Sequence, residues 1–141
     1  MVKLNFRRQY QLAEKLKSYF PDEEQRRNVK ILDVAAGTGL VGEGLKRAGF
    51  VWMDAVDGNQ AMLDKLMKKG IYKKSVRAIL GNKEDSISPD IANNAYDVVI
   101  IMGGFAQSHL PLQSLYQVLK VLHTLLKDLL RRLILCQIFR P

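Results

Sequence analysis

"ILDVAAGTGLVGEGL", residues 31–45, is the stretch on which the fold turns. An apolar run closes on Asp33, and Gly37, Gly39, Gly42 and Gly44 then crowd the place where a helix should begin. The run does not alternate, so it reads as a strand buried on both faces, the habit of parallel sheets. Glycines at its end let the backbone turn through conformations closed to other residues and let a ligand approach the main chain. Strand, glycine turn and helix in that order open an α/β unit.

The rest of the chain repeats the alternation. The "VKILDVAA" strand is followed by a helix from about Leu40 to Ala48, stopped by Gly49. "FVWMDAVD" forms a second strand, Asn59 caps a helix over 60–69, and Gly70 ends it. "SVRAIL" is a shorter third strand ending at Gly81, "SISPDIANN" is a loop, and "YDVVIIMGG" is a fourth strand. Leu115, Val118, Leu119, Leu122, Leu125, Leu126 and Leu129 trace one face of a long helix, and "RRLILCQIF" reads as a fifth strand. Upstream, Leu12, Ala13, Leu16, Tyr19 and Phe20 share a helical face closed by Pro21, and "DEEQRRN" reads as a polar connector. The expectation is one domain over 1–141. A helix and connector occupy 1–30, and a doubly wound, mostly parallel sheet of five strands with helices on both faces occupies 31–141.

Composition narrows the class. The 141 residues are 48% hydrophobic and 26% charged, as in ordinary globular domains. The longest apolar run, Val98 to Ala106, is strand-sized and far short of the roughly 18 residues of a bilayer span. The net charge of +8 is terminal: residues 1–30 carry eight Lys/Arg against four acids, residues 113–141 five against one, and 31–112 nine of each. A neutral glycine turn with basic ends argues against nucleic acid as the partner and for solvated surface. The N-terminus is basic and amphipathic without an apolar signal core, and the single Cys136 sits in an apolar run. These features point to the cytoplasm, with the nucleus also open and a mitochondrial presequence as the minor alternative.

"GTGLVG", Gly37 to Gly42, matches the dinucleotide fingerprint G-x-G-x-x-G, and Asp57 stands at a suitable distance beyond it. Asp33 opposes that assignment, because a carboxylate four residues before Gly37 repels a pyrophosphate. S-adenosylmethionine has no phosphate but a sulfonium and an ammonium, which an acid attracts. A nicotinamide-dependent oxidoreductase therefore rests on "GTGLVG" alone, and no Y-x-x-x-K pair supports it.

"LDVAAGTG", "VDGNQAML", "GN" at Gly81–Asn82 and "YDVVIIMGG" resemble, in order and spacing, the motifs of the Rossmann-like, seven-strand (class I) S-adenosylmethionine-dependent methyltransferases. With "AGTGLVG", "KGIY" and "YDVVIIMGGFAQSHLP", the run from Ile31 to about Val121 is most similar to the Williams–Beuren syndrome region methyltransferase-like proteins. The chain departs from the family at Ala35, where the first glycine of the turn stands elsewhere, and at Asn82, which replaces an acid. It also lacks the Asn/Asp-Pro-Pro-aromatic motif of many amino-group methyltransferases.

The resemblance implies a cofactor, S-adenosyl-L-methionine, and a set of residues around it. Asp33 would lie near the methionyl ammonium, and Ala35, Gly37 and Gly39 would line the methionine moiety. Asp57 would take the ribose hydroxyls, with Gly58, Asn59 and Met62 on one side of adenine and Asn82 and Lys83 on the other. Met102 and Gly103 would face the sulfonium. His109 is the catalytic candidate near the reacting end, and no metal is expected. The implied activity is methyl transfer to a small molecule or protein. The family pattern continues past the fifth strand, so a truncated or non-catalytic cofactor-binding module is the alternative. An unpaired C-terminal strand would then favour self-association.

Overall fold

Strand β1, Lys30–Val34, sits between two parallel neighbours, and everything else is arranged around it. The computed structural model describes residues 2–81, 87–102 and 113–121. Along the chain these are α1 (Val2–Tyr19), α2 (Glu23–Asn28), β1, α3 (Leu40–Arg47), β2 (Trp52–Asp57), α4 (Gln60–Lys68), β3 (Lys74–Arg77), β4 (Val98–Ile101) and α5 (Gln113–Val121). The strands form one sheet in the order β3-β2-β1-β4, all parallel. Asp33 pairs with Ala55 and Ile100, and Asp57 pairs with Arg77.

Alternation along each strand divides the apolar side chains between two cores. Ile31, Met53, Ala55, Val98 and Ile100 meet Leu12, Ala13 and Leu16 of α1, Val41 and Leu45 of α3, and Leu63 and Leu66 of α4. On the other face Leu32, Val34, Val56, Val76, Val99 and Ile101 meet Val118 and Val121 of α5, with Ile87, Ile91 and Tyr96 of the preceding loop. All of β1 after Lys30 is buried, as its lack of alternation implies. The doubly wound α/β architecture is therefore as expected. The fifth strand and its proposed self-association, Cys136, and the leucines beyond Val121 lie outside the described residues.

Two details depart from the sequence expectations. The "DEEQRRN" connector is helical. The Asp22 carboxylate accepts from the Glu24 and Gln25 N–H groups, and buried Arg26 donates through Nη1 to the Phe20 and Pro21 carbonyls. Six residues with no apolar stripe leave no periodic signal, so only the cap could have announced it. Tyr19 faces solvent rather than the core. No described helix is long and apolar enough to cross a membrane.

The strand starts are fastened separately from the strand ends. Lys30 N–H donates to Asp97 Oδ2 at 2.9 Å while Asp97 N–H donates back to the Lys30 carbonyl at 2.9 Å. Beside them Trp52 stands 44% exposed, with the Lys30 and Lys73 ammonium groups 5.5 and 5.2 Å from its ring centre. Across the sheet Tyr96 O–H donates to Asp54 Oδ2 at 2.7 Å, which holds Asp54 on the α5 face, opposite Asp57.

Candidate functional site

At the carboxyl ends of the strands the chain makes the turn that the glycines demand. Ala35, Gly37 and Gly39 take φ of 56°, 58° and 89°, all in the left-handed region. Two of the three are glycines, for which this costs nothing; Ala35 bears the steric strain of its β-carbon there. Ala36 N–H donates to the Val56 carbonyl and Gly39 N–H to the Ala36 carbonyl, which folds the turn back over β2.

The two acids bracket this turn in different ways. Asp57, ending β2, accepts from Gly37 N–H through Oδ2 and from Asn59 N–H through Oδ1, each at 2.8 Å. Its carboxylate thus ties the turn after β1 to the turn after β2. Each carboxylate oxygen keeps a second lone pair for another donor. Asn59 then caps α4, its side chain accepting from Met62 N–H.

Asp33 is buried on the α3 face of β1 and accepts from the Tyr72 hydroxyl at 2.6 Å. Tyr72 oxygen in turn accepts from Gly42 N–H at 2.9 Å. Helix α3 starts at Gly39, which has no side chain to cap it, so a phenol thirty residues downstream takes an N–H of its first turn. Burial pushes the Asp33 carboxyl up to about 7; the Tyr72 hydrogen bond opposes this and the Asp57 charge adds to it. Burial, with the Asp33 charge and hydrogen bond, holds the Tyr72 phenol far above its ordinary range, so it stays protonated and donates.

The structure brings together Asp33, Ala35, Gly37, Gly39, Asp57, Gly58 and Asn59 around the ends of β1 and β2. Met62 lies exposed on the first turn of α4, and Met102, directly after β4, is partly buried against the α1 core. Asn82, Lys83, Gly103 and His109 lie outside the described residues. The Asp33 group is buried and its Oδ2 is committed to Tyr72.

Sequence reasoning missed three residues at this end. Tyr72 belongs to "KGIY" but offered no local sign of its partner. Ile79, 67% exposed, sets Cγ1 within 3.7 Å of where a β-carbon at Gly58 would stand. The core side of that segment is Val76, Ala78 and Leu80, so alternation alone marks Ile79 as the apolar residue facing out. Gln117 of α5 is buried and accepts from Gly81 N–H at 2.8 Å, fixing the turn that leads to Asn82.

This frame can be set beside known proteins. The family profile described as a methyltransferase domain matches residues 31–128, more than half of the chain. The chain belongs to the methyltransferase domain family. Human methyltransferase-like protein 27 is 35% identical to this methyltransferase-family chain over 85 residues, 60% of this chain and 33% of that protein. The chain thus spans about a third of that relative's length. Among solved structures, the plantazolicin methyltransferase BpumL in complex with SAH superposes with a TM-score of 0.61 at 24% identity, over 83% of this chain and 43% of that one. A SAM-dependent methyltransferase from Aquifex aeolicus gives 0.56 at 21% identity, over 79% and 58%. At these identities the structures speak to the fold, and the Rossmann-like methyltransferase architecture is the one expected.

Proposed function

We propose that this domain binds S-adenosyl-L-methionine and serves its transfer of a methyl group to an acceptor, a small molecule or a protein. The observation that carries the cofactor choice is the Asp33 carboxyl near the end of β1, beside the glycine turn and held by Tyr72, since an acid at Asp57 suits the ribose of either cofactor. A dinucleotide would need that turn for its pyrophosphate, and a unit charge placed about 4 Å from a carboxylate costs about 4 kcal/mol at an effective dielectric near 20. A cofactor without phosphate meets no such penalty, and its cationic end gains from Asp33 and Asp57.

The residues present fit that group. Asp57 keeps lone pairs for two ribose hydroxyls, and Gly58 leaves the space beside Ile79 open for an apolar ring face. Met62 offers a second exposed apolar surface nearby. An ammonium near Asp33 favours the ionised carboxyl that burial disfavours. When bound, the cofactor supplies a methyl carbon already activated by the sulfonium. The chain's own work is then to position it and exclude water, an orienting role. Asn82 and Lys83 at adenine, Gly103 at the sulfonium and His109 at the acceptor complete the assignment by resemblance. A cytoplasmic setting accords with the lone Cys136.

Parallel calorimetric titration with S-adenosylmethionine, S-adenosylhomocysteine and NAD tests the reading. Heat with both adenosyl ligands and none with NAD is expected. Binding of NAD alone would overturn it.

A further inference from the structure

Gln9 of α1 has no exposed surface, and neither its Nε2 nor its Oε1 has a hydrogen-bond partner. Leaving a buried amide unpaired costs roughly 1–3 kcal/mol, and native chains seldom keep such a group without reason. An apolar side chain of the same volume would avoid the penalty. An amide held in this state has the two N–H donors of Nε2 and the acceptor Oε1 ready for a partner from outside the fold.

Its position indicates which partner. Phe20, just past α1, meets Phe50 edge-on at 6.2 Å, so the C-terminal end of α1 lies at the amino edge of the sheet. Gln9 lies eleven residues earlier, about 16 Å nearer the carboxyl edge at 1.5 Å per residue. It rests on α3 at Gly44, where a β-carbon would stand 2.8 Å from the Gln9 carbonyl oxygen and 3.5 Å from its Cγ. Gly44 is five residues into the chain from Gly39, about 7 Å below the glycine turn. Side chains lean toward the N-terminus of their own helix, which carries the Gln9 amide toward that turn. The sheet face beneath is the one that holds Asp33.

We propose that Gln9 is a binding residue for the amino-acid end of the cofactor, its Nε2 donating to the carboxylate and its Oε1 accepting from the ammonium. This rests on the S-adenosylmethionine reading. Asp33 and Asp57 supply negative charge at the turn, which suits the ammonium and repels the carboxylate. A neutral amide serves both groups at once and adds no third charge.

The test is calorimetric titration of the parent chain, Gln9→Leu and Gln9→Met with two ligands. S-adenosylhomocysteine carries the amino-acid end; 5′-methylthioadenosine keeps the adenosine and thioether but lacks it. Both substitutions keep the volume and remove the unpaired polar atoms, so each variant should melt at or above the parent. Binding of S-adenosylhomocysteine should weaken on the order of tenfold, the effect of hydrogen bonds to charged groups, with methylthioadenosine unchanged. If both ligands bind the variants as they bind the parent, or weaken alike, the role of Gln9 is refuted while the cofactor reading stands. A parent chain that binds neither ligand overturns the cofactor reading, and the assignment of Gln9 with it.

Discussion

Replacing Tyr72 by Phe removes one oxygen atom and leaves two buried groups without partners. The ring stays in a site of nearly the same shape, so packing changes little. Gly42 N–H loses its acceptor at 2.9 Å and Asp33 Oδ2 its donor at 2.6 Å. An unsatisfied buried group costs about 1–3 kcal/mol, so the pair should cost roughly 2–6 kcal/mol of a total stability of order 5–15. For a domain of this size 1 kcal/mol moves the melting temperature by about 3–4 °C, so a drop on the order of 10 °C is expected. The loss should also depend on pH. The Tyr72 bond lowers the Asp33 pKa, so its removal raises that pKa further and makes the folded variant hold its proton more tightly than the folded parent. Stability falls with rising pH wherever the native state binds the extra proton, so the deficit should grow from pH 5 to pH 8. Far-UV circular dichroism melts at both pH values measure it. A variant within about 2 °C of the parent at pH 8, or a deficit that ignores pH, would show that this phenol neither caps α3 nor holds Asp33.

Other perturbations address the remaining parts of the frame. Asp57→Ala should weaken S-adenosylhomocysteine binding by about tenfold or more in titration, and it should also loosen the Gly37 and Asn59 turns; Asp54→Ala, which frees Tyr96 on the other face, should lower stability and leave binding nearly unchanged. Ala35→Gly relieves a left-handed alanine worth about 1–2 kcal/mol and adds unfolded-state entropy worth about 0.5–1, so urea unfolding should show a gain of at most about 1.5 kcal/mol. Asp33 goes from 3.8 in the unfolded chain to about 7 in the fold, so the native state binds the extra proton between pH 4 and 7. That contribution to stability is complete below pH 4 and lost as pH rises through 7, up to about 4 kcal/mol at 1.36 kcal/mol per unit. The urea midpoint of the parent should fall across this window relative to Asp33→Asn.

How much of this could be read from the chain divides along sequence distance. β1 and β4 announce themselves because a strand buried on both faces must be apolar without alternation, and the helices after β1 and β2 carry their own stops at Gly49 and Gly70. Asp57 was legible because a strand end followed by an Asn cap is a local pattern. Tyr72 was not, because its meaning lies 39 residues away on Asp33 and 30 away on Gly42, and only the packing of α3 over β1 brings the three together. Gln9 escaped for the opposite reason: a glutamine beside Tyr10 on a charged helix looks like solvated surface until Gly44 admits the helix that buries it. Ile79 is a lesser case. Its outward side follows from Val76 and Leu80, but an exposed isoleucine acquires significance only when Gly58 is seen beside it.

The placement of the single tryptophan has a practical bearing on all these experiments. Trp52 opens β2 at the amino edge of the sheet, between two lysine ammonium groups, while Asp57 closes the same strand at the glycine turn. Five residues of extended chain, about 17 Å, separate the indole from the end where ligands are expected. Its emission therefore reports on whether the sheet is intact and stays nearly silent when the turn is filled. A fluorimeter will follow the unfolding of every variant cleanly, and occupancy will have to be read by heat or by melting shift.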